Sequence, residues 1–500
     1  MSELPPLSAD AAPEFSDPAG CRRWLDHVPL ADPAAAQREI LAQLEQFGRL
    51  PSAAANRLAV LETLREAVHF VQVEMSRRFA HHALPLAEAE STAFSLTDRL
   101  WREMRAGYQR CLDAAEGGES VTRAQAALVA QRLLVCSGLG MLNNYRACRE
   151  LAPQDWSALH SAYAAAERLD VADEPVRDFL GREASDSSPA IAYARALLMA
   201  LANPNELAQR QLSFLDFVLQ RWAAKLEISR EPQREAHELP PLVVDLASAK
   251  APYRAAAGAA FSASTRFLGT RALSKSLRGR VDLLRKGESP AKLALGEDCV
   301  QPSCEQWLVY LYRQWCEARP ARSAERQRAS QAAHACIDIG AIHAWLAGDP
   351  AVVPEAWRLQ DESALGVRLS RTARGLGQRY AHGQLIGLRP GEAQTCMLGQ
   401  VRWLMIAQAG ELHAGVRLLP GMPSAVEVRG TGINAQGESY ARALALAEAA
   451  ALASPASLVL APGWFKPKRV VELRGSGAVR LTEVLERGLD FERVAYEAAG

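Results

Sequence analysis

A carboxylate, a hydroxyl and a glycine lie within six residues of one another at Asp361, Ser363 and Gly366. A carboxylate can accept two parallel hydrogen bonds from the N1 and N2 donors of guanine. The hydroxyl can bond a phosphate or the turn backbone, and the glycine permits a positive φ or a close approach of a ligand to the main chain. This spacing suits a turn between two strands that holds a guanine nucleotide. The alternative is an Asx-turn in which the side chains only cap backbone amides.

An arginine-rich segment precedes this motif. It contains Arg319, Arg322, Arg326 and Arg328, and Arg322 and Arg326 are four residues apart. A planar guanidinium can chelate a phosphate or the O6/N7 edge of guanine, and it can stack on the base. The segment therefore offers cations for a nucleotide, although an arginine-rich linker exposed to solvent would have the same composition.

The elements that must position these residues are short strands. Residues 333–340 before the motif and 366–369 and 383–389 after it have the apolar character of strands. Residues 399–407 and 412–418 form a predicted hairpin whose turn is Gln408-Ala-Gly410.

The order of these features resembles a PilZ domain, a small β-barrel that binds the bacterial second messenger cyclic di-GMP. The resemblance rests on an RxxxR motif, a [D/N]xSxxG motif and a closing hairpin, which correspond here to Arg322 and Arg326, to Asp361, Ser363 and Gly366, and to Val401-Arg-Trp403 with Gly415-Val-Arg-Leu418. It implies that cyclic di-GMP is bound by Arg322, Arg326, Asp361, Ser363 and Gly366, with Arg319 and Arg328 as additional candidates.

The chain departs from the PilZ pattern in two respects. Leu418 stands where phenylalanine is usual, and about 35 residues separate Arg326 from Asp361. The extra residues around 342–348 have the pattern of a short helix. The resemblance covers residues 319–425, roughly a fifth of the chain.

Length and composition limit the rest of the protein. A chain of 500 residues exceeds the size of a single core, so two to four domains are expected. Lysine plus arginine equals aspartate plus glutamate at 57 each, so composition gives no indication of nucleic-acid binding. We find neither a signal peptide nor a long uncharged apolar run, and nine scattered cysteines are expected to be reduced thiols. These features predict a cytoplasmic protein that does not span a membrane.

The predicted fold class is α+β multidomain, with a large all-α N-terminal region followed by a PilZ-like antiparallel β-barrel and a β-rich C-terminal extension. In the N-terminal region apolar residues recur every three or four positions, which favours an irregular bundle over a degenerate helical repeat. The predicted divisions are a disordered N-terminus at 1–16, a helical domain at 17–235, a mixed connecting region at 236–318, the barrel at 319–432 and the extension at 433–500.

The connecting region has three recognisable parts. A strand is predicted at 240–246 and a buried aromatic helix at 306–315. Between them, residues 272–286 are basic and amphipathic, with Leu273, Leu277, Val281 and Leu284 on one face. A solvated helix face explains these charges better than a nucleic-acid or membrane surface, because no aromatic residues interleave with them.

No enzyme motif was found, and the histidines do not have metal-ligand spacing, so neither catalysis, a cofactor nor a metal is expected. The sequence predicts a cyclic di-GMP effector that couples nucleotide binding to a protein partner through its helical region. A PilZ-like scaffold without a ligand is the alternative, and an enzyme with an unrecognised pocket in the helical region is a weaker one. Whether the chain forms a homodimer is left open.

Overall fold

The computed structural model describes residues 12–180, 185–232, 240–256, 258–296, 299–300, 303–317, 327–373, 377–391, 393, 395–431 and 439–499. The chain divides into two compact units. The helical unit comprises residues 1–80 and 87–320, and the barrel unit comprises residues 81–86 and 321–500.

Helix α2 (Pro33–Arg49) of the helical unit begins with a standard cap. The side chain of Asp32 accepts hydrogen bonds from the amides of Ala34 and Ala35, and Pro33 occupies the first turn, where its missing N–H has no partner to lose. The helices are α1 (Pro18–Leu25), α2 (Pro33–Arg49), α3 (Ala54–Ser76), α4 (Glu88–Glu116), α5 (Ser120–Ala124), α6 (Ala126–Arg146), α7 (Pro153–Arg168), α8 (Pro189–Leu201), α9 (Gln209–Trp222), α10 (Arg271–Arg285) and α11 (Ser303–Cys316).

Helix packing in this unit reaches beyond sequence neighbours. Helix α4 packs against α2, α3 and α6, and α6 also packs against α7 and α8. Contacts between near neighbours in the chain occur both in an irregular bundle and in a degenerate helical repeat, so both alternatives stay open. Among the described residues, α6 alone is long and apolar enough to cross a membrane, and most of it is buried inside the unit.

The helical unit also contains short strands between its helices. They are β1 (Val176–Asp178), β2 (Ser185–Ser187), β3 (Glu227–Ser229), β4 (Leu242–Asp245), β5 (Tyr253–Arg254) and β6 (Thr265–Gly269). The last four form a sheet in the order β3-β6-β4-β5. Helix α10 buries the four apolar residues predicted for its inner face, and α11 confirms the predicted aromatic helix.

One expectation about the cysteines is wrong. Cys299 and Cys304 form a disulfide, because their Cα atoms lie 5.1 Å apart across the short segment that leads into α11. The other seven cysteines are free thiols, and five of them are buried.

The barrel unit contains a first closed antiparallel barrel in the order β10-β11-β12-β9-β8-β7. Its strands are β7 (Gln327–Ile337), β8 (Glu355–Ser363), β9 (Gly366–Thr372), β10 (Leu385–Pro390), β11 (Met397–Ile406) and β12 (Glu411–Leu418). The predicted hairpin corresponds to β11 and β12, and Gly410 in its turn has a φ of 80°. This unit confirms the predicted β-barrel fold after a helical region.

A second closed barrel follows in the order β13-β14-β15-β18-β17-β16. Its strands are β13 (Pro423–Gly430), β14 (Ala441–Leu446), β15 (Ser457–Leu460), β16 (Val470–Leu473), β17 (Gly477–Arg487) and β18 (Glu492–Ala498). The predicted boundary at 432 is therefore wrong, because β13 pairs with β14 and β16 and belongs to the second barrel. The boundary lies between Leu418 and Pro423.

The insertion between β7 and β8 joins the two barrels. It forms α12 (Ile339–Leu346), whose start is capped by the side chain of Asp338. Ile339 and Ile342 pack with Leu444 and Val459 of the second barrel in one apolar cluster. The predicted short helix is thus present, and its apolar side chains pack in one cluster with residues of both barrels.

Candidate functional site

The predicted arginines fall in two groups. Arg319, Arg322 and Arg326 lie outside the described residues. Arg328 is the second residue of β7 and lies directly opposite Asp361 of β8. The structure therefore brings one arginine of the segment to the predicted carboxylate.

Asp361 belongs to a row of directly opposed residues that crosses five strands. We call it the polar row, and it consists of Trp403 on β11, Gly415 on β12, Arg368 on β9, Asp361 on β8 and Arg328 on β7. Directly opposed residues of an antiparallel ladder share one face of the sheet. The polar row therefore lies on a single face of the first barrel.

Burial identifies that face as the outer one. Val367 and Leu369, on either side of Arg368, are 2% and 1% exposed. Because side chains alternate along a strand, these two point into the barrel and Arg368 points out. Register shifts in β7 beyond Arg328 and in β8 before Asp361 mark β-bulges. Such bulges re-aim side chains and are frequent beside functional sites.

Ser363 and Gly366 close the turn between β8 and β9. The hydroxyl of Ser363 donates a hydrogen bond of 3.1 Å to the carbonyl oxygen of Gly366, so it bonds the turn backbone. Gly366 does not have a positive φ, which corrects one of the two reasons expected for a glycine here. Its Cβ would lie 2.7 Å from the carbonyl oxygen of Val416. The glycine is therefore required by the close approach of β12.

Three further side chains, which the motif did not identify, lie on the outer face near Asp361. The guanidinium of Arg368 lies over the ring of Trp403, at 5.9 Å from its centroid. Its Nη2 donates to Nδ1 of His413 across 3.4 Å. Trp403 in turn lies over Gly415, whose Cβ would fall 1.9 Å from the indole nitrogen. The sequence marks Trp403 only as a hairpin residue and gives His413 no metal-ligand spacing. The sequence signal for both is their alternation with apolar residues.

Three arginines of the outer face have no carboxylate partner in the part of the chain that the structure describes. Within the described residues, no carboxylate forms an ion pair with Arg328, Arg358 or Arg368. Arg358 lies opposite Ser370 in the neighbouring row of the same face, and Ser370 accepts a hydrogen bond of 2.6 Å from Gln360. Three arginines around one carboxylate make this face suitable for an anionic ligand that also has hydrogen-bond donors.

Other regions offer weaker candidates. No group of residues that could hold a metal ion occurs in the described parts of the chain. A cavity of about 580 Å³ in the helical unit is lined by Asp173, Asp186, Ser187 and Ser188, among others. The hydroxyls of Ser187 and Ser188 are engaged with Gln131 and with the start of α8. This arrangement does not supply an activated nucleophile.

Two family models match the chain. A model of the N-terminal domain of the cyclic-di-GMP receptor FimW matches residues 19–233, and a model of the FimW C-terminal β-barrel domain matches residues 426–499. The second match coincides with the second barrel. The first barrel, which carries the polar row, lies between the two matched regions.

A curated relative gives the same indication. The cyclic-di-GMP receptor FimW of Pseudomonas aeruginosa PAO1 is 29% identical over 214 residues. The match covers 42% of this chain and 35% of the relative, so it spans about a third of the relative's length.

Proposed function

We propose that this chain, which matches the models of the FimW N-terminal domain and of the FimW C-terminal β-barrel domain, is a cyclic-di-GMP receptor that binds its ligand on the outer face of the first barrel. The observation that carries the proposal is the position of Asp361, directly between Arg328 and Arg368 on neighbouring strands. A carboxylate flanked by arginines matches a ligand that combines guanine donors with phosphate charge.

Each residue has a distinct part in this proposal. Asp361 accepts from N1 and N2 of a guanine. Arg328, together with Arg322 and Arg326 of the undescribed segment, contacts phosphate oxygens or the O6/N7 edge of the base. Ser363 holds the turn through its bond to Gly366. Arg319 remains an additional candidate contact.

Calorimetric titration with cyclic di-GMP tests the proposal. We expect binding to the full chain and a loss of roughly 5- to 150-fold in affinity for Asp361→Ala, which corresponds to about 1–3 kcal/mol for a bidentate contact to a base. Glu497→Ala is the matched control, since Glu497 is an exposed acid on β18 of the second barrel. Cyclic di-AMP, which lacks the guanine N1 and N2 donors, should bind more weakly. Absence of cyclic di-GMP binding, or equal binding by Asp361→Ala, would contradict the proposal.

We propose further that the chain is a non-catalytic effector whose helical unit contacts a protein partner, and that nucleotide binding changes this contact. A ligand-free scaffold is the competing function. Gel filtration and crosslinking with and without cyclic di-GMP separate the two. A scaffold retains the same partner in both conditions, whereas an effector gains or loses it.

The proposed location is the cytoplasm, without a bound cofactor. Seven free cysteines among the described residues support a reducing compartment, although the Cys299–Cys304 disulfide is an exception. Thiol labelling of the protein in intact cells tests this location.

A further inference from the structure

Arg368 lies at the centre of the polar row, and not all of its N–H donors have an acceptor. Its Nε is buried and has no hydrogen-bond partner. Within the described residues its guanidinium donates across a long distance from Nη2 to Nδ1 of His413, which is not an anion. A partly buried guanidinium without a carboxylate is unfavourable unless another group compensates for its lost hydration.

The next arginine of the same strand shows the contrast. Arg371 points to the opposite face and lies 3.3 Å from the carboxylate of Glu355. It also donates to the carbonyl oxygens of Thr372 at 2.9 Å and Gln378 at 2.7 Å. Nε of both arginines is buried without a hydrogen-bond partner, but strand β9 carries one arginine beside a carboxylate and one without.

The neighbours of Arg368 hold its guanidinium in place. Trp403 supplies a ring face, and a cation over an indole is attracted by the ring electrons. Nδ1 of His413 accepts from Arg368, so the ring proton lies on Nε2, which faces the carboxylate of Glu411 at 3.4 Å. Glu411 and His413 thus orient the guanidinium without neutralising it.

We infer that Arg368 is a further ligand-contacting residue, whose guanidinium binds a phosphate of the nucleotide that Asp361 holds by its guanine. This inference rests on the proposed function of the first barrel. Neighbouring strands are about 4.8 Å apart, so Arg328 and Arg368 flank Asp361 across roughly 10 Å. This width accommodates one base edge between two phosphate contacts. His413 is a positioning residue.

Substitution of Arg368 in the full chain tests the inference. We expect Arg368→Ala to bind cyclic di-GMP at least about tenfold more weakly, because a charge-assisted hydrogen bond is lost. Arg368→Lys should fall between this variant and the wild type, since an ammonium keeps the charge but cannot donate two parallel bonds. Arg480→Ala is the control, because Arg480 is an exposed arginine on a strand of the second barrel.

Guanosine separates a contact from a structural role. It carries the base without a phosphate, so its competition against cyclic di-GMP should be weakened by Asp361→Ala and unchanged by Arg368→Ala. If Arg368→Ala distorted the whole face, it would weaken the binding of guanosine as well as that of cyclic di-GMP. Quenching of the Trp403 fluorescence by the nucleotide, identified by its loss in Trp403→Phe, would place the ligand beside Arg368.

The outcomes distinguish the inference from the function on which it rests. If the wild type binds and Asp361→Ala does not, while Arg368→Ala and Arg368→Lys bind like the wild type, the inference is overturned and the proposed function stands. If the wild type does not bind cyclic di-GMP, both are overturned. Should Arg368→Ala fail to fold, Arg368→Lys with unchanged affinity still overturns the inference.

Discussion

The two barrels of this chain have the same architecture but use their arginines differently. Both are closed, antiparallel and six-stranded. In the second barrel, four surface arginines pair with carboxylates: Arg429 with Glu472, Arg474 with Glu427, Arg480 with Glu497 and Arg487 with Glu492. Arg442 and Arg469 donate to carbonyl oxygens instead. On the outer face of the first barrel, Arg417 of β12 pairs with Glu486, whereas the described parts of the chain provide no carboxylate partner for Arg328, Arg358 and Arg368.

Two barrels of the same architecture can therefore differ in whether one face is suited to bind an anion. Paired surface charges contribute little to stability and present a nearly neutral surface. Unpaired charges gathered on one face attract an anion from solution. The first barrel is therefore the stronger candidate for the ligand site, although the matched C-terminal family model covers only the second.

The largest expected effect concerns Arg371, a paired arginine of the first barrel. Arg371 has a side chain only 8% exposed, and it lies between the rings of Trp357 and Tyr380 and beside Glu355. Burial, followed by the hydrogen bond to Glu355, holds the pKa of Tyr380 well above its usual value. Arg371→Ala should destabilise the barrel unit by about 3–5 kcal/mol, because it removes the cationic partner of the largely buried Glu355 and leaves a gap beside the rings of Trp357 and Tyr380. Thermal unfolding measures this loss.

Two controls make this prediction specific. Arg480→Ala, which removes an exposed pair of the second barrel, should change stability by less than about 1 kcal/mol. Combining Arg371→Ala with Glu355→Gln should restore part of the stability, since the unpaired charge is removed. If Arg371→Ala melts like Arg480→Ala, the distinction between the two arginines of β9 is wrong.

A smaller effect is expected where Trp403 lies over Gly415. A methyl group at position 415 would overlap the indole, so Gly415→Ala should force Trp403 to move and destabilise the barrel by about 1–3 kcal/mol. Nucleotide affinity should fall as well, because Arg368 loses its ring partner. Gly279→Ala in α10 is the control, since nothing lies within 4 Å of its Cβ and alanine favours the helix. An unchanged melting temperature for Gly415→Ala would contradict the assigned contact.

Patterns of neighbouring residues in the sequence were sufficient to predict many elements of the fold. Alternation and turn residues predicted the β11–β12 hairpin, and the apolar spacing in α10 predicted its four buried residues. The motif also placed Asp361 correctly, at the end of a strand and before a tight turn. These features depend on residues close together in the chain.

The remaining features depend on strand register between distant segments. Arg368 meets His413 from 45 residues away, and Trp403 reaches it through two strand pairings. The same limit explains the wrong domain boundary, because only pairing with β14 and β16 assigns β13 to the second barrel. Side-chain type alone does not encode which residues of separate strands become neighbours.

The smallest effect is expected where the two barrels meet. Asp490, in the turn between β17 and β18, accepts a hydrogen bond of 2.8 Å from the amide of Leu385 of the first barrel. Burial raises the pKa of Asp490, with the bond to Leu385 opposing the change. A carboxyl group with a raised folded pKa stabilises the fold in its protonated form, and this contribution is lost as the pH rises through that pKa.

Asp490→Asn should therefore remove this loss at neutral pH. Asparagine keeps an acceptor oxygen for Leu385 but does not ionise. We expect the variant to melt slightly above the wild type at pH 7 and to match it below about pH 4, where an ordinary aspartate is protonated even in the unfolded chain. Melting curves across this range measure the difference. A lower melting temperature for the variant at pH 7 would mean that the contact between the barrels needs the ionised carboxylate of Asp490 as the acceptor for Leu385.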